Sequence, residues 1–126
     1  STMNDKVNNS TNSGDIDPLF LRRLQELGGA KLASELVGMY LTRGAQLLET
    51  ISAGIDNQDF AVIKNAAHSL ISSAGNLGGK QVSDLSKLLE TAAIEEQLGK
   101  MPDLLSELST AQEVFQIYLK GALEGL

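Results

Sequence analysis

Apolar residues recur along most of the chain at the three- and four-residue spacing that places them on one face of an α-helix. Two stretches show this most clearly. The first is a stripe of six positions, Phe60, Ile63, Ala67, Leu70, Ala74 and Leu77. The second alternates steps of four and three, as in a helix-bundle seam, through Leu104, Leu108, Ala111, Phe115, Tyr118 and Ala122. Both patterns predict helices with one buried face.

Glycine, proline and capping residues interrupt this pattern and divide it into five predicted helices. They cover residues 15–27, 30–53, 58–77 and 80–98, with a fifth that opens at Pro102 in its first turn. Asp15 or Asp17 is the predicted cap of the first helix. For the third helix the predicted cap is Asp56 or Asn57, with Asp59 in the first turn.

The buried sides of the second and fourth helices are predicted from the same spacing. In the second, Gly38 and Gly44 are unfavourable helix residues whose small size could allow close approach of another helix. Its predicted buried positions are Leu32, Leu36, Met39, Tyr40, Leu47, Leu48 and Ile51, and those of the fourth helix are Val82, Leu85, Leu89 and Ala92.

These elements predict an all-α fold, and so does the composition, with two prolines, 4% aromatic residues and abundant Leu and Ala. Short connections make consecutive helices antiparallel neighbours, so we expect an antiparallel up-and-down four-helix bundle with a short additional N-terminal helix. Residues 1–14 are polar and rich in Asn, Ser and Thr, which predicts a disordered tail or linker before a single domain spanning 15–126.

The composition narrows the function classes. The net charge of −6, from 10 basic and 16 acidic residues, disfavours binding to nucleic acid or to an anionic membrane. The absence of cysteine excludes disulfides, thiolate metal sites and cysteine nucleophiles. No apolar run approaches the roughly 20 residues that span a bilayer, and no signal peptide is present. We therefore expect a cytoplasmic protein without direct membrane insertion.

The candidate chemistry centres on His68, the only histidine. It lies one position off the apolar stripe, so its imidazole is predicted at the edge of the buried face. Its helical neighbours are Lys64, Ser72 and Gly75, and the small ones leave room for another protein. A single histidine cannot form a metal site, and no phosphate-binding or dinucleotide motif is present, so no metal or cofactor is expected.

The sequence around His68 resembles the histidine phosphotransfer (HPt) domain of multistep phosphorelays. Residues 66–90 depart from that family's motif at Ile71, where the family usually has Lys, at Ser72, usually Gly, and at Ala74, often Ser. They match it at Ala67, His68, Leu70, Ser73, Asn76, Leu77, Gly78, Leu89 and Glu90.

The resemblance implies a function in two-component signal transduction. His68 would accept a phosphoryl group from a receiver-domain aspartate and pass it to another receiver aspartate, while the receiver supplies magnesium and positioning groups. The implied partners are receiver domains of response regulators or of a hybrid sensor histidine kinase, and the protein is expected to be a monomer. The residues expected in the phosphate environment or at the docking surface are Lys64, Ile71, Ser72, Ser73, Gly75 and Asn76.

Several alternatives stay open at these positions. Lys64, one turn before His68, could replace the lysine missing at Ile71, or could be an ordinary solvated lysine. Ser72 and Ser73 could bind phosphate, or could bond back to the helix or pack as small residues. Asn76 is expected at the helix end.

At the level of the whole domain, the competing function is a non-catalytic helical adaptor that binds a partner without carrying phosphate. A histidine kinase core is disfavoured, because no ATP-binding Gly-rich region is present and Ser69, rather than an acidic residue, follows His68. Autophosphorylation from ATP is therefore not expected. The domain could still belong to a membrane-bound hybrid kinase, since the polar N-terminal segment resembles an interdomain linker.

Overall fold

The computed structural model describes residues 16–125, which form four α-helices. These are α1 (Pro18–Asp56), α2 (Phe60–Gly75), α3 (Lys80–Ile94) and α4 (Met101–Glu124), with one 3-10 turn at Leu98–Lys100 before α4. The predicted tail at 1–14 and the alternative cap Asp15 lie outside the described residues. Neighbouring helices pack in a ring, α1 on α2, α2 on α3, α3 on α4 and α4 on α1, which confirms the predicted four-helix bundle.

The short N-terminal helix is the first part of α1 and is separated from the rest by a kink. Gly29 has φ +73° and ψ −169°, a conformation that residues with a side chain rarely adopt, and it interrupts the helix where the sequence predicted a break. Asp17 caps the start, its Oδ1 accepting a hydrogen bond of 3.0 Å from the amide of Leu19. The helix resumes directly after Gly29 and continues to Asp56, three residues beyond the predicted end.

The predicted cap of α2 was wrong. Asp56 is the last residue of α1 and Asn57 its C-cap, so neither is available to α2. The chain turns at Gln58, where φ is +53°, and Asp59 is the cap, accepting a hydrogen bond of 3.2 Å from the amide of Val62. At their other ends, α2 stops two residues and α3 four residues before the predicted boundaries.

The buried side of α1 was only partly predicted. Met39 is 67% exposed, contrary to prediction, because Val37 and Tyr40 take the inward positions on either side of it. Gly44 permits close approach to α4, since a β-carbon there would lie 2.6 Å from Nε2 of Gln112, whereas Gly38 has open space around it. The buried α1 positions after the kink follow steps of four and three: Ala33, Val37, Tyr40, Gly44, Leu47, Ile51 and Gly54.

Helices α2 and α3 bury the predicted faces. On α2 the stripe is buried except for Phe60, which is half-buried, and on α3 all four predicted positions are buried.

The predicted α4 seam is centred correctly on Leu108 and Phe115 but is too narrow. Its other four members are half-buried, while Gln112 and Leu119 lie fully inside.

Gln112 occupies the core because it meets a second polar group there. The buried hydroxyl of Tyr40 donates a hydrogen bond to Oε1 of Gln112. Burial raises the pKa of the Tyr40 hydroxyl, and this hydrogen bond offsets part of that effect. The Nε2 atom of Gln112 has no hydrogen-bond partner within the described part of the chain.

The turn between α2 and α3 is held by the segment that precedes α1. The amide of Asp17 donates a 2.8 Å hydrogen bond to the carbonyl of Gly78, and Ile16 forms an isolated antiparallel bridge with Gly79. At Gly78, φ is +88° and a β-carbon would lie 2.1 Å from the carbonyl oxygen of Asp17, so a side chain is excluded. This contact fixes the carboxyl end of α2.

Within residues 16–125 no helix combines the length and hydropathy required for a membrane span.

Candidate functional site

His68 projects from the edge of the buried face of α2. Its neighbours Ala67 and Leu70 are fully buried, while 73% of the His68 side chain is exposed. This agrees with the predicted boundary position. Because the buried stripe fixes the rotation of the helix, the exposure of the imidazole follows directly from the packing of α2.

Glu90 on α3 is the hydrogen-bond partner of the imidazole. Its Oε2 lies 2.6 Å from Nδ1 of His68, and the Glu90 side chain is 24% exposed. An ionised carboxylate only accepts hydrogen bonds, so this contact requires the proton on Nδ1. In the neutral ring the lone pair is then on Nε2, the nitrogen on the other side of the imidazole.

The role of Glu90 was not predicted. The sequence signal available was its place in the Leu89-Glu90 match to the HPt motif, 22 residues after His68. To predict the contact between Glu90 and His68, one must know the register between α2 and α3. The apolar pattern of each helix alone does not give that register. The structure supplies it through two further contacts near the carboxyl end of α2.

The register is fixed near Gly75. The hydroxyl of Ser83 donates a 2.9 Å hydrogen bond to the carbonyl of Ile71, and a β-carbon on Gly75 would lie 3.6 Å from the same hydroxyl oxygen. The two helices therefore run antiparallel and side by side from this point to the His68–Glu90 contact. The short separation explains why small residues occupy Gly75 and Ser83.

The residues one turn from His68 differ in exposure. Lys64 and Ser72 are exposed and Ile71 is half-buried. No ion pair found within residues 16–125 includes Lys64. Ser73 is partly buried, and its hydroxyl donates a 2.9 Å hydrogen bond back to the carbonyl of Ser69, one of the alternatives that the sequence left open.

A groove lies beside the second half of α2. Asn76 is exposed at the C-cap of the helix, as expected for a helix-end residue. Together with Ser73 it lines a cavity of about 470 Å³ between α2 and α1. The remaining lining residues are mostly apolar and come largely from α1: Leu24, Leu36, Met39, Tyr40, Arg43 and Leu77.

The arrangement suits nucleophilic attack by one ring nitrogen on a group presented from outside. The imidazole is held from one side and open on the other, and no other histidine exists to act as a base or a metal ligand. With the proton already on Nδ1, attack by Nε2 needs no separate general base. A reacting partner must bring the electrophile and the groups that stabilise its charge.

One comparison with known proteins identifies a family, and a second supports the fold. The Hpt domain profile matches residues 35–125. Among solved structures, the crystal structure of histidine-containing phosphotransfer protein B (HptB) from Pseudomonas aeruginosa PAO1 superposes with a TM-score of 0.86 at 20% identity, covering 91% of this chain and 99% of that one. At this identity the superposition supports the fold alone. No curated protein sequence resembles the chain closely enough to count as a match.

Proposed function

The chain belongs to the Hpt domain family, and from this membership we propose that His68 is its phosphoryl-carrying residue. The chain is a phosphorelay intermediary, a role that Hpt domains perform with receiver domains. The observation that carries the residue assignment is the geometry of the imidazole, with Nδ1 held by Glu90 and 73% of the side chain exposed.

In the proposed reaction the Nε2 lone pair of His68 attacks the phosphorus of a receiver aspartyl phosphate. A nitrogen–phosphorus bond forms and the phosphorus–oxygen bond to the aspartate breaks, its electron pair staying on the receiver carboxylate. Nδ1 keeps its proton, so the ring becomes a phosphoimidazolium whose positive charge lies against Glu90. Transfer to the next receiver reverses these changes. Magnesium and most positioning groups belong to the receiver.

We propose that the receiver docks over the second half of α2. Ser72 is small and exposed and Gly75 has no side chain, so a receiver surface can approach His68 closely there. Ser73 and Asn76 border the apolar groove against α1, where exposed Met39 offers a contact. Ile71, half-buried one turn beyond His68, contributes apolar surface rather than charge.

We also infer that this chain has no autokinase activity of its own, since its 126 residues contain no Gly-rich ATP-binding motif. We infer further that it works as a monomer in the cytoplasm. Autoradiography after incubation with labelled ATP and magnesium tests the first inference. Light scattering tests the monomeric state.

The deciding experiment is transfer from a panel of phosphorylated receiver domains. The wild-type chain should acquire phosphate that is labile in acid and stable in base, as expected of phosphohistidine. His68→Gln should acquire none while keeping the helical circular dichroism spectrum, because an exposed side chain of similar size leaves no cavity. Label on the glutamine variant would exclude His68 as the acceptor, and binding of receivers without any transfer would favour an adaptor.

A further inference from the structure

A phosphoryl group on His68 would lack a cation at the position one turn along the helix, where Ile71 stands. The phosphoryl group carries about two negative charges and, bonded to Nε2, would stand on the side of the imidazole away from Glu90. We propose that Lys87 on the neighbouring helix α3 contacts the phosphoryl group and offsets its charge. This inference rests on the proposed function of His68.

The register of the two helices places Lys87 beside Ile71. Helix α3 approaches α2 where Ser83 lies near Gly75, with its hydroxyl 3.6 Å from where a β-carbon on Gly75 would lie, and again where Glu90 contacts His68. Each helix advances seven residues between these two points. Antiparallel helices with the same rise stay in step between the two contacts. Ile71, four residues before Gly75, is therefore level with Lys87, four residues after Ser83.

Lys87 also lies on the face of α3 that borders the site. Ser83, Lys87 and Glu90 follow one another in steps of four and three, the spacing of a single helix face. Ser83 contacts the backbone of α2 and Glu90 contacts His68, so the residue between them lies along the same edge. Lys87 is exposed, which leaves its head group in solvent above that edge.

The Lys87 side chain is weakly engaged. Its Nζ lies 3.9 Å from Oδ1 of Asp84, whereas Lys80 lies 2.9 Å from the other oxygen of the same carboxylate. A pair of exposed charges at that longer distance contributes little. The flexible four-carbon stem of lysine can therefore reorient toward a dianion when His68 is phosphorylated.

Lys64 is the competing cation on α2 itself, while Arg43 lines the groove on the α1 side. Lys64 lies one turn before His68, toward the amino end of α2. Lys87 lies level with Ile71, toward the carboxyl end of α2, and on the α3 flank from which Glu90 holds the imidazole. The Lys64→Met and Lys87→Met variants below distinguish the two lysines.

The test measures phosphohistidine formation with phosphoramidate, a small donor that requires no receiver. The nitrogen–phosphorus bond of the protonated donor breaks with release of ammonia, and Nε2 of His68 forms the new bond to phosphorus. The variants are Lys87→Met, Lys87→Arg, Lys64→Met and Lys80→Met, each checked by circular dichroism. Lys80→Met is the matched control, because Lys80 precedes Lys87 by two turns of the same helix, about 10.5 Å.

Lys87→Met should slow formation about tenfold, the effect of losing one charge-assisted hydrogen bond. Lys87→Arg should keep the rate within about threefold, and the loss in Lys87→Met should shrink as salt screens the interaction. Adding Ile71→Lys to Lys87→Met should restore the rate, since it places the cation at the same level of the site.

Three results would overturn the proposal while leaving His68 as the acceptor. They are a normal rate in Lys87→Met, a loss confined to Lys64→Met, and equal losses in Lys87→Met and Lys80→Met. Absence of acid-labile phosphate on the wild-type chain from both phosphoramidate and the receiver panel would instead refute the proposed function itself.

Discussion

Replacement of Phe115 by alanine tests the packing of the bundle at the point where α4 meets the turn before α3. The ring is 1% exposed, lies edge-on to Tyr40 at a centroid distance of 5.4 Å, and stacks on Tyr118 at 6.3 Å. On a third side it covers Gly79 so closely that a β-carbon there would lie 2.5 Å from the ring. The side chain is therefore enclosed by three different elements.

The expected cost of Phe115→Ala is about 3–5 kcal/mol, the range for a buried phenylalanine whose removal leaves a cavity. We expect the upper half of this range, because the two ring–ring contacts contribute about 0.5–1.5 kcal/mol each beyond area burial. Since the free energy of unfolding of small domains is about 5–15 kcal/mol, a loss of this size removes between about a quarter and nearly all of it.

Urea denaturation followed by circular dichroism at 222 nm measures this loss. Ile117→Ala is the matched control on the same helix, because Ile117 is 72% exposed and its truncation should change stability by less than about 0.5 kcal/mol. A loss below about 1 kcal/mol in Phe115→Ala, or equal losses in the two variants, would show that the α4 seam is misplaced.

A double-mutant cycle tests the contact between Phe115 and Gly79 independently. Gly79→Ala alone should destabilise the protein, because its β-carbon meets the Phe115 ring. In a Phe115→Leu background the same substitution should cost less, giving a coupling of about 0.5–3 kcal/mol between neighbours. Additive losses would mean that the ring does not pack on Gly79.

Three further predictions concern the site and the buried hydrogen bond. Gly75→Arg should slow transfer from receivers about 100-fold or more by holding the reacting groups apart, whereas Gly75→Ala, whose β-carbon has ordinary contact distances, should transfer normally. Glu90→Leu should slow phosphohistidine formation about tenfold and shift the ring proton of His68 away from Nδ1, observable by ¹⁵N NMR; an unchanged tautomer would contradict the role given to Glu90. Burial raises the pKa of both Tyr40 and Tyr118 in the folded state, so stability should fall as the pH rises above about 10, the unperturbed value. Tyr40→Phe should weaken that dependence by removing the Tyr40 contribution, and should cost about 1–3 kcal/mol at pH 7 by leaving Gln112 unpaired.

The sequence predicted the elements of this fold because local signals specify them. Glycine at position 29 and the Gly78-Gly79 pair mark real breaks, and the spacing on α2 identifies its buried face. The errors occur where two signals compete. Asp56, Asn57 and Asp59 are all acceptable caps by residue type, and which one caps α2 depends on where α1 ends.

The errors on α1 and α4 have different causes. Apolar residues outnumber inward positions on α1, so Met39 fits the spacing although it points outward. Gln112 is missing from the predicted seam because that seam was built from the spacing of six other residues, none of which is a glutamine. Its partner Tyr40 comes from another helix, 72 residues earlier, and a pairing of that kind is visible only after the helices are assembled.

The difference between signals within one helix and contacts between helices also explains which parts of the site could be predicted. The exposure of His68 follows from its place next to the stripe on one helix, so the pattern of α2 was sufficient. Which of its two ring nitrogens carries the proton depends on Glu90, and the cation proposed to lie level with Ile71 is Lys87. Both residues are on α3. The α2–α3 register decides both, and small residues at Gly75 and Ser83 fix that register. Lengthening or shortening the α2–α3 turn should therefore impair phosphoryl acceptance before it unfolds the bundle, because the imidazole stays exposed while its partners on α3 move out of reach.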